Sequence, residues 1–275
     1  MIYLSYDNTA HRDGFGAQLQ RIISIFIISK KLDVNYLHVN IVTTEHEFTD
    51  EILKKFNDLI DIPIEEKAIT NILYIKDFDN KTYDLIESRK KEKTDVLFKI
   101  KHAHFYIDSN QNIFDNHIFP KFSWIVDDKT APDILTVAIH IRRGDVSRNR
   151  NSLRFIPFEY YLNCLTNISK LLENKNYVIT IYSEKSISDE IIKYKDFLGK
   201  IKNLEYKIDG NVIETFVKLV NSDILISSKS SFSYSASLMK IKNKGMVFYP
   251  SFWHKYPLKY ICIDNPNNIF DYKII

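Results

Sequence analysis

The sequence predicts an α/β protein in two halves. Three observations predict it. From residue 134 to 249, strand-length apolar runs alternate with helix-length amphipathic runs, which is the pattern of a parallel sheet joined by crossover helices. The first forty residues show the same strand–helix–strand order. Between these regions, about residues 108–133 dissolve into Asn, Asp and Pro, which reads as a junction. The halves are therefore placed at 1–125 and 126–275.

Residues 2–6 (IYLSY) read as a strand. Residues 17–32 are apolar on most faces and read as a buried helix. Residues 34–39 read as a second strand. Phe48, Ile52, Leu53, Phe56, Leu59 and Ile60 recur at helical spacing, which predicts a helix over 47–60. A strand near 72–75 and a charged helix near 81–93 follow, and 95–107 fits strand and helix equally. In the second half, strands are expected at 134–141, 177–182, 204–208, 223–227 and 245–249. Helices are expected at 157–172, 187–198, 211–221 and 231–240, with Pro157 suited to a first helical turn. In such sheets ligands sit beyond the carboxyl ends of the strands, so chemistry-bearing residues are sought just after strands.

Composition excludes several classes. The 275 residues are 45% apolar and 27% charged, an ordinary balance with ample length for a core. A net charge of +3 gives no ground for a nucleic-acid partner or a membrane surface. Cys164 and Cys262 form no metal-ligating spacing, so no metal site is expected and the chain suits a reducing compartment. The N-terminus lacks a basic segment followed by an apolar core. The longest apolar run, Ile22–Ile28, is far short of the ~20 residues of a membrane span. A cytoplasmic protein with no transmembrane segment is expected, any membrane association being through partners.

Four stretches carry chemistry. The first is 137-VAIHIRRGD-145, where a strand ends in His140, Arg142, Arg143, Gly144 and Asp145. A guanidinium fork matches phosphate oxygens and stays charged, and each charge-assisted hydrogen bond contributes about 1.5–3 kcal/mol. Gly144 allows a sharp turn. His140 supplies a donor or proton carrier, and Asp145 a base or an orienting group for arginine. Surface arginines are the plain alternative, and Arg143-Gly144-Asp145 also spells an adhesion tripeptide. The second stretch, 227-SSKSSFSYSASL-238, runs from a strand into a helix N-terminus rich in hydroxyls. That is a phosphate-binding arrangement, with helix capping by serine as the alternative. The third, 181-IYSEKSIS-188, places Glu184 after a strand, and the fourth, 13-DGFGAQLQ-20, places Gly14 and Gly16 between a strand and a helix. Three of the six glycines fall in the loops at 14–16 and 144.

Together these stretches resemble the α-1,2/α-1,6-fucosyltransferase superfamily. His140-Ile141-Arg142-Arg143-Gly144-Asp145 resembles its HxRRxD motif, 227–238 its serine-rich segment, Glu184 its guanine-reading acid (more often Asp), and 13–20 its GxGNQ opening, with Ala17 where the family has Asn. The resemblance covers roughly half the chain, and 41–133 matches nothing in it. It implies a GT-B-type fold of two Rossmann-like halves, the first on the acceptor side and the second binding the GDP-sugar. It also implies metal-independent, inverting transfer of fucose from GDP-fucose to a glycan hydroxyl. On that resemblance Arg142, Arg143, His140, Glu184, Ser230, Ser231, Gly14 and Gly16 hold the donor, Arg142 and His140 serve catalysis, and Asp145, His11 and Asp13 are candidate bases. No cofactor is implied beyond the donor itself.

Three other readings stand beside it. One is a transferase for another GDP-sugar. Another is a metal-dependent GT-A-type glycosyltransferase using Asp77 and Asp79 as a DxD after a strand, where capping by Asp is the alternative role. The third is a non-catalytic GDP-sugar or glycan binder.

Overall fold

The computed structural model describes residues 1–9, 13–44, 48–58, 60, 62, 67–103, 134–240, 245–252, 254, 256 and 261–264. The chain divides into two compact units, Met1–Trp124 and Ile125–Ile275. The expected junction at 108–133 and His11 lie outside the described residues.

Unit 1 is β1 (Ile2–Tyr6), α1 (Phe15–Lys31), β2 (Asn35–Tyr36), α2 (Asp50–Asp58), β3 (Ile72–Asp77), α3 (Asn80–Arg89) and β4 (Val96–His102). Its sheet has the order β2-β1-β4-β3, all parallel. The ambiguous stretch at 95–107 thus holds a strand. Val96, Leu97, Phe98 and Ile100 are buried because β4 lies between β1 and β3, and an inner parallel strand covered on both faces reads as a continuous apolar run. The strand expected at 34–39 shrinks to two residues. Helix α1 buries even Gln18, Arg21 and Ser24, which is why its sequence shows no polar face.

Unit 2 is β5 (Leu135–Ile141), α4 (Phe158–Leu171), β6 (Tyr177–Ser183), α5 (Ser188–Lys193), α6 (Lys195–Leu198), β7 (Leu204–Ile208), α7 (Val212–Asn221), β8 (Ile224–Ile226), α8 (Ser231–Met239), β9 (Met246–Tyr249) and β10 (Ile261–Cys262). The sheet runs β10-β9-β8-β5-β6-β7, every pair parallel. Val137, Ile139 and Ile141 of β5 pack with Ile179 and Ile181 of β6 and with Leu165 and Ile168 of α4 in one core. The α/β class with two parallel sheets is therefore as expected.

Two details differ. The single helix expected over 187–198 is a 3-10 turn at Lys185–Ile187 followed by α5 and α6, broken at Tyr194. That ring stacks on Phe158 at 5.5 Å and its hydroxyl donates to Glu159, so tertiary contacts override a good helical pattern. Strand β10 carries no sequence signal because it is two residues long. Lys240 is wholly buried, its Nζ donating to Val220 O and Ser222 Oγ, both at 3.2 Å. Among the described residues no helix is long and apolar enough to cross a membrane.

Candidate functional site

The chain order of unit 2 creates a site. From β5 it proceeds outward through β6 to β7, then crosses back to β8 and proceeds the other way to β9 and β10. The direction reverses between β5 and β8, and the crevice beyond their carboxyl ends is where such sheets hold ligands. The register sets what meets there. Ile139 lies opposite Ile226 and Ile141 opposite Ser183, so His140 lies level with the residues after β8, and Arg142 with Glu184.

His140 is buried, and its Nδ1 lies 2.9 Å from Ser228 Oγ. Its ring is 5.5 Å from Phe232. Burial, and then the Arg142 charge, push its pKa down to about 3. The imidazole is therefore neutral near pH 7, a hydrogen-bonding group rather than a cation.

Arg142 follows, its side chain 13% exposed. Its Nε donates to Asp145 Oδ1 at 3.0 Å and its Nη2 lies 2.7 Å from the same oxygen. Asn151 Nδ2 donates to the other oxygen, Asp145 Oδ2, at 3.3 Å. Asp145 thus orients the guanidinium and has both oxygens engaged. Nη1 of Arg142 makes no hydrogen bond among the described residues.

Arg143 differs. The sequence reading sets it beside Arg142 on an anion, but its side chain is 4% exposed and its fork is spent inside the protein. Nε donates to Glu190 Oε2 at 2.5 Å and Nη2 to Glu190 Oε1 at 3.0 Å. Nη2 also reaches Ile156 O at 3.1 Å, Nη1 reaches Arg142 O at 2.9 Å, and Phe155 lies 4.8 Å away under the guanidinium. This bidentate pair ties the loop to α5 and leaves no presented adhesion tripeptide.

Glu184 also serves the loop. Its Oε2 accepts the Arg143 backbone N–H at 2.8 Å, and its side chain lies 3.5 Å from where a Cβ on Gly144 would sit. Gly144 has φ +63°, the left-handed region that glycine enters without cost, and its N–H donates to Ser186 Oγ at 2.8 Å. One oxygen of the expected base-reading carboxylate is thus already occupied. Lys185 N–H beside it donates to Asp209 Oδ1 at 2.8 Å.

In the serine segment, Ser230 caps α8, its Oγ accepting from Phe232 N at 3.2 Å, and it is buried. The capping alternative therefore describes Ser230, whose oxygen accepts from the backbone at the helix start. Ser231 Oγ lies 3.3 Å from His254 Nε2.

Asp13, Gly14 and Gly16 belong to unit 1. Asp13 forms an ion pair with Arg21, and its carbonyl accepts from Gln18 Nε2 at 2.7 Å. Gly14 caps α1 with φ −61°, a backbone open to any residue, and Gly16 lies in the first turn. The helix starts two residues earlier than the pattern suggests, so Gly14 leads directly into it and Gly16 is its second residue. Asp77 ends β3. Asp79 caps α3, its Oδ1 accepting from Thr82 N at 2.8 Å and Thr82 Oγ1 at 2.9 Å. Those bonds, the backbone one foremost, hold its carboxyl below the usual range.

Sequence reasoning missed Ser228, Glu190 and Ser186. Ser228 stands inside the quoted serine run, but only the β5–β8 register singles it out. Glu190 is 47 positions from Arg143 and has no motif.

No family model matches the sequence, and no curated protein matches it. Among solved structures, the chain is similar to E. coli heptosyltransferase WaaC with ADP-2-deoxy-2-fluoro heptose, at TM-score 0.48 and 10% identity over 98% of this chain and 94% of that one. It is also similar to a Listeria monocytogenes protein assigned as a UDP-N-acetylglucosamine 2-epimerase, at TM-score 0.45 and 9% identity over 98% and 88%. Likeness at this level carries no weight for function.

Proposed function

We propose that the chain is a GT-B-type glycosyltransferase that moves fucose from GDP-fucose to a hydroxyl of a glycan acceptor, inverting the anomeric centre. The observation that carries this reading is Arg142. It leaves the central strand at the switch point with its guanidinium oriented by Asp145, beside a neutral imidazole held by Ser228. Three of the four quoted stretches supply that neighbourhood.

In such a transfer the glycosidic bond lengthens and the leaving pyrophosphate gains negative charge. A guanidinium already fixed in place stabilises that charge without reorganising, and losing such a donor costs about 10²–10³ in rate. Arg142 takes this role. His140 is a neutral donor on a phosphate or sugar oxygen when Ser228 holds its Nδ1. Arg143, Glu184 and Asp145 position the loop. The residues at the start of α8, Ser231 among them, add the helix dipole. Asp145 and Asp13 are both committed to arginines, and neither is assigned as the base.

One observation favours a second reading, a donor with another base. Glu184 has given one oxygen to Arg143 N, which weakens the two-oxygen grip on guanine. The test is release of nucleotide from GDP-fucose by the purified chain in EDTA, with a set of glycan acceptors. Acceptor-dependent GDP release that falls about 10²–10³-fold in Arg142→Lys supports the proposal, because lysine keeps the charge and loses the fork. Equal rates in Arg142→Lys and wild type would contradict it.

A further inference from the structure

The loop that follows β8 meets a histidine on each side, and the proposed transfer uses only one of them. His140 of β5 meets Ser228 at 2.9 Å. Three residues on, the Nε2 of His254 lies 3.3 Å from Ser231 Oγ. His254 lies in none of the four chemistry-bearing stretches and comes from the segment beyond β9.

That segment reaches the loop because β8 and β9 end side by side. Ile226 lies opposite Phe248, and Ser227 N donates to Phe248 O at 2.9 Å, so the chain leaves both strands at one level. Two aromatic stacks then fasten the returning segment. Tyr256 stacks on Tyr249 with centroids 3.9 Å apart and planes 8° apart, and its hydroxyl lies 3.0 Å from Ser227 Oγ. His254 stacks on Tyr234 of α8 at 4.3 Å and 7°, with the Phe252 ring edge-on at 5.6 Å. Tyr234 is fully buried and His254 is 5% exposed. A ring stacked on a buried ring keeps its edge in a fixed direction, and the edge of His254 faces the first residue of α8.

Ser231 is the outward member of the pair. It is half-buried at the start of α8, where the helix dipole favours an anion. A serine hydroxyl has one hydrogen to give and two lone pairs. When His254 Nε2 carries its hydrogen, it donates to Ser231 Oγ, and the serine gives its own hydrogen to a phosphate oxygen. When Nε2 is bare, it takes that hydrogen, and Ser231 shows a phosphate only lone pairs. An anion at the start of α8 therefore selects the Nε2–H form, and the bond from the imidazole polarises the hydroxyl that donates to it. In this arrangement His254 does not touch the anion; it decides which way the Ser231 hydrogen points.

We infer that His254 is a positioning residue of the donor site: through its Nε2 it sets the Ser231 hydroxyl to donate to the leaving pyrophosphate. This rests on the nucleotide reading at Arg142, and the test separates the two.

The test is calorimetric titration of GDP into the full chain in EDTA. Wild type is compared with Arg142→Ala, His254→Phe, His254→Gln, Ser231→Ala and the double variant His254→Phe with Ser231→Ala. Phenylalanine keeps the stack on Tyr234 and removes the ring nitrogens, while glutamine restores an N–H. His254→Phe and Ser231→Ala should each weaken GDP about tenfold or more, the loss expected for a hydrogen bond to a charged group. The double variant should bind no more weakly than the weaker single one, because His254 acts only through Ser231. His254→Gln should recover part of the loss. GDP binding that is lost in Arg142→Ala but kept in His254→Phe, or losses that add in the double variant, would overturn the inference and leave the nucleotide reading standing. No GDP binding by wild type would overturn both. If His254→Phe does not fold, nitrogen NMR of the wild-type imidazole decides: GDP should fix the hydrogen on Nε2, and a bare Nε2 in the complex would overturn the inference.

Discussion

The exits of β1 and β5 each carry an arginine paired with a carboxylate, and the two pairs are built differently. At β1 the arginine is the anchor: Arg21 is 7% exposed beneath Tyr6, while its partner Asp13 is 40% exposed. At β5 the arginine lies at the crevice: Arg142 is held from one side by Asp145, with Nη1 unpaired among the described residues. In both pairs the carboxylate is the more exposed partner, and the pairs differ in depth: Asp13 is 40% exposed and Asp145 20%. Identical residue types thus form two differently built pairs. What separates them is how the arginine is held: Arg142 by one carboxylate on one side, Arg21 by Asp13 and the Tyr6 hydroxyl.

The largest expected effect breaks the β5 exit. Glu190→Gln leaves the buried Arg143 charge without its partner, and removing one member of a buried pair costs about 3–5 kcal/mol. Urea unfolding reads this as a lower midpoint with an unchanged slope. A loss under about 1 kcal/mol would show that Arg143 is hydrated and that its difference from Arg142 is overstated.

Asp13→Asn tests the β1 exit in the same way. The carboxylate there is largely exposed, so screening limits the loss to about 1 kcal/mol. If Asp13→Asn cost as much as Glu190→Gln, the contrast drawn from burial would fail.

Acid sharpens the comparison through one buried imidazole in each unit. His38 and His140 have folded pKa values of about 4 and about 3 against an ordinary 6.5. Between those values and 6.5 the unfolded chain binds more protons, so stability falls as pH drops from 6.5 and the loss levels off below about 3. His140→Gln should flatten part of that acid limb. An unchanged limb would mean that His140 is not buried neutral.

The smallest effect lies beneath the Arg143–Glu190 pair. Tyr161 Oη is buried with no hydrogen-bond partner among the described residues. Tyr161→Phe removes an unsatisfied hydroxyl and should be neutral or stabilising by about 1 kcal/mol. Clear destabilisation would reveal a partner for that oxygen.

These contrasts also show how far the sequence can be read. Strand–helix alternation carried the second sheet because β5 and β6 are seven-residue, mostly apolar strands separated by helix-length segments, and 2–6 was plain from its apolar residues. Residues 95–107 stayed ambiguous because an inner parallel strand is apolar on both faces and loses its alternation. At the site, 137-VAIHIRRGD-145 located the loop but could not divide labour between Arg142 and Arg143. That division depends on Glu190, which lies on a helix 47 positions away. Ser230 caps α8, as the capping alternative has it, while Ser228, two residues earlier, meets His140 through strand register.

The central claim, that Arg142 at the β5 exit receives a nucleotide pyrophosphate, is tested most directly by thermal unfolding with GDP, ADP, UDP and GDP-fucose. Each is run with EDTA and with manganese, in wild type and in Arg142→Ala. A ligand at 100-fold over its Kd stabilises the folded chain by about 2.7 kcal/mol. The account predicts a metal-independent shift, largest for GDP and GDP-fucose, that disappears in Arg142→Ala. A shift that needs manganese, or one that persists in Arg142→Ala, would contradict it.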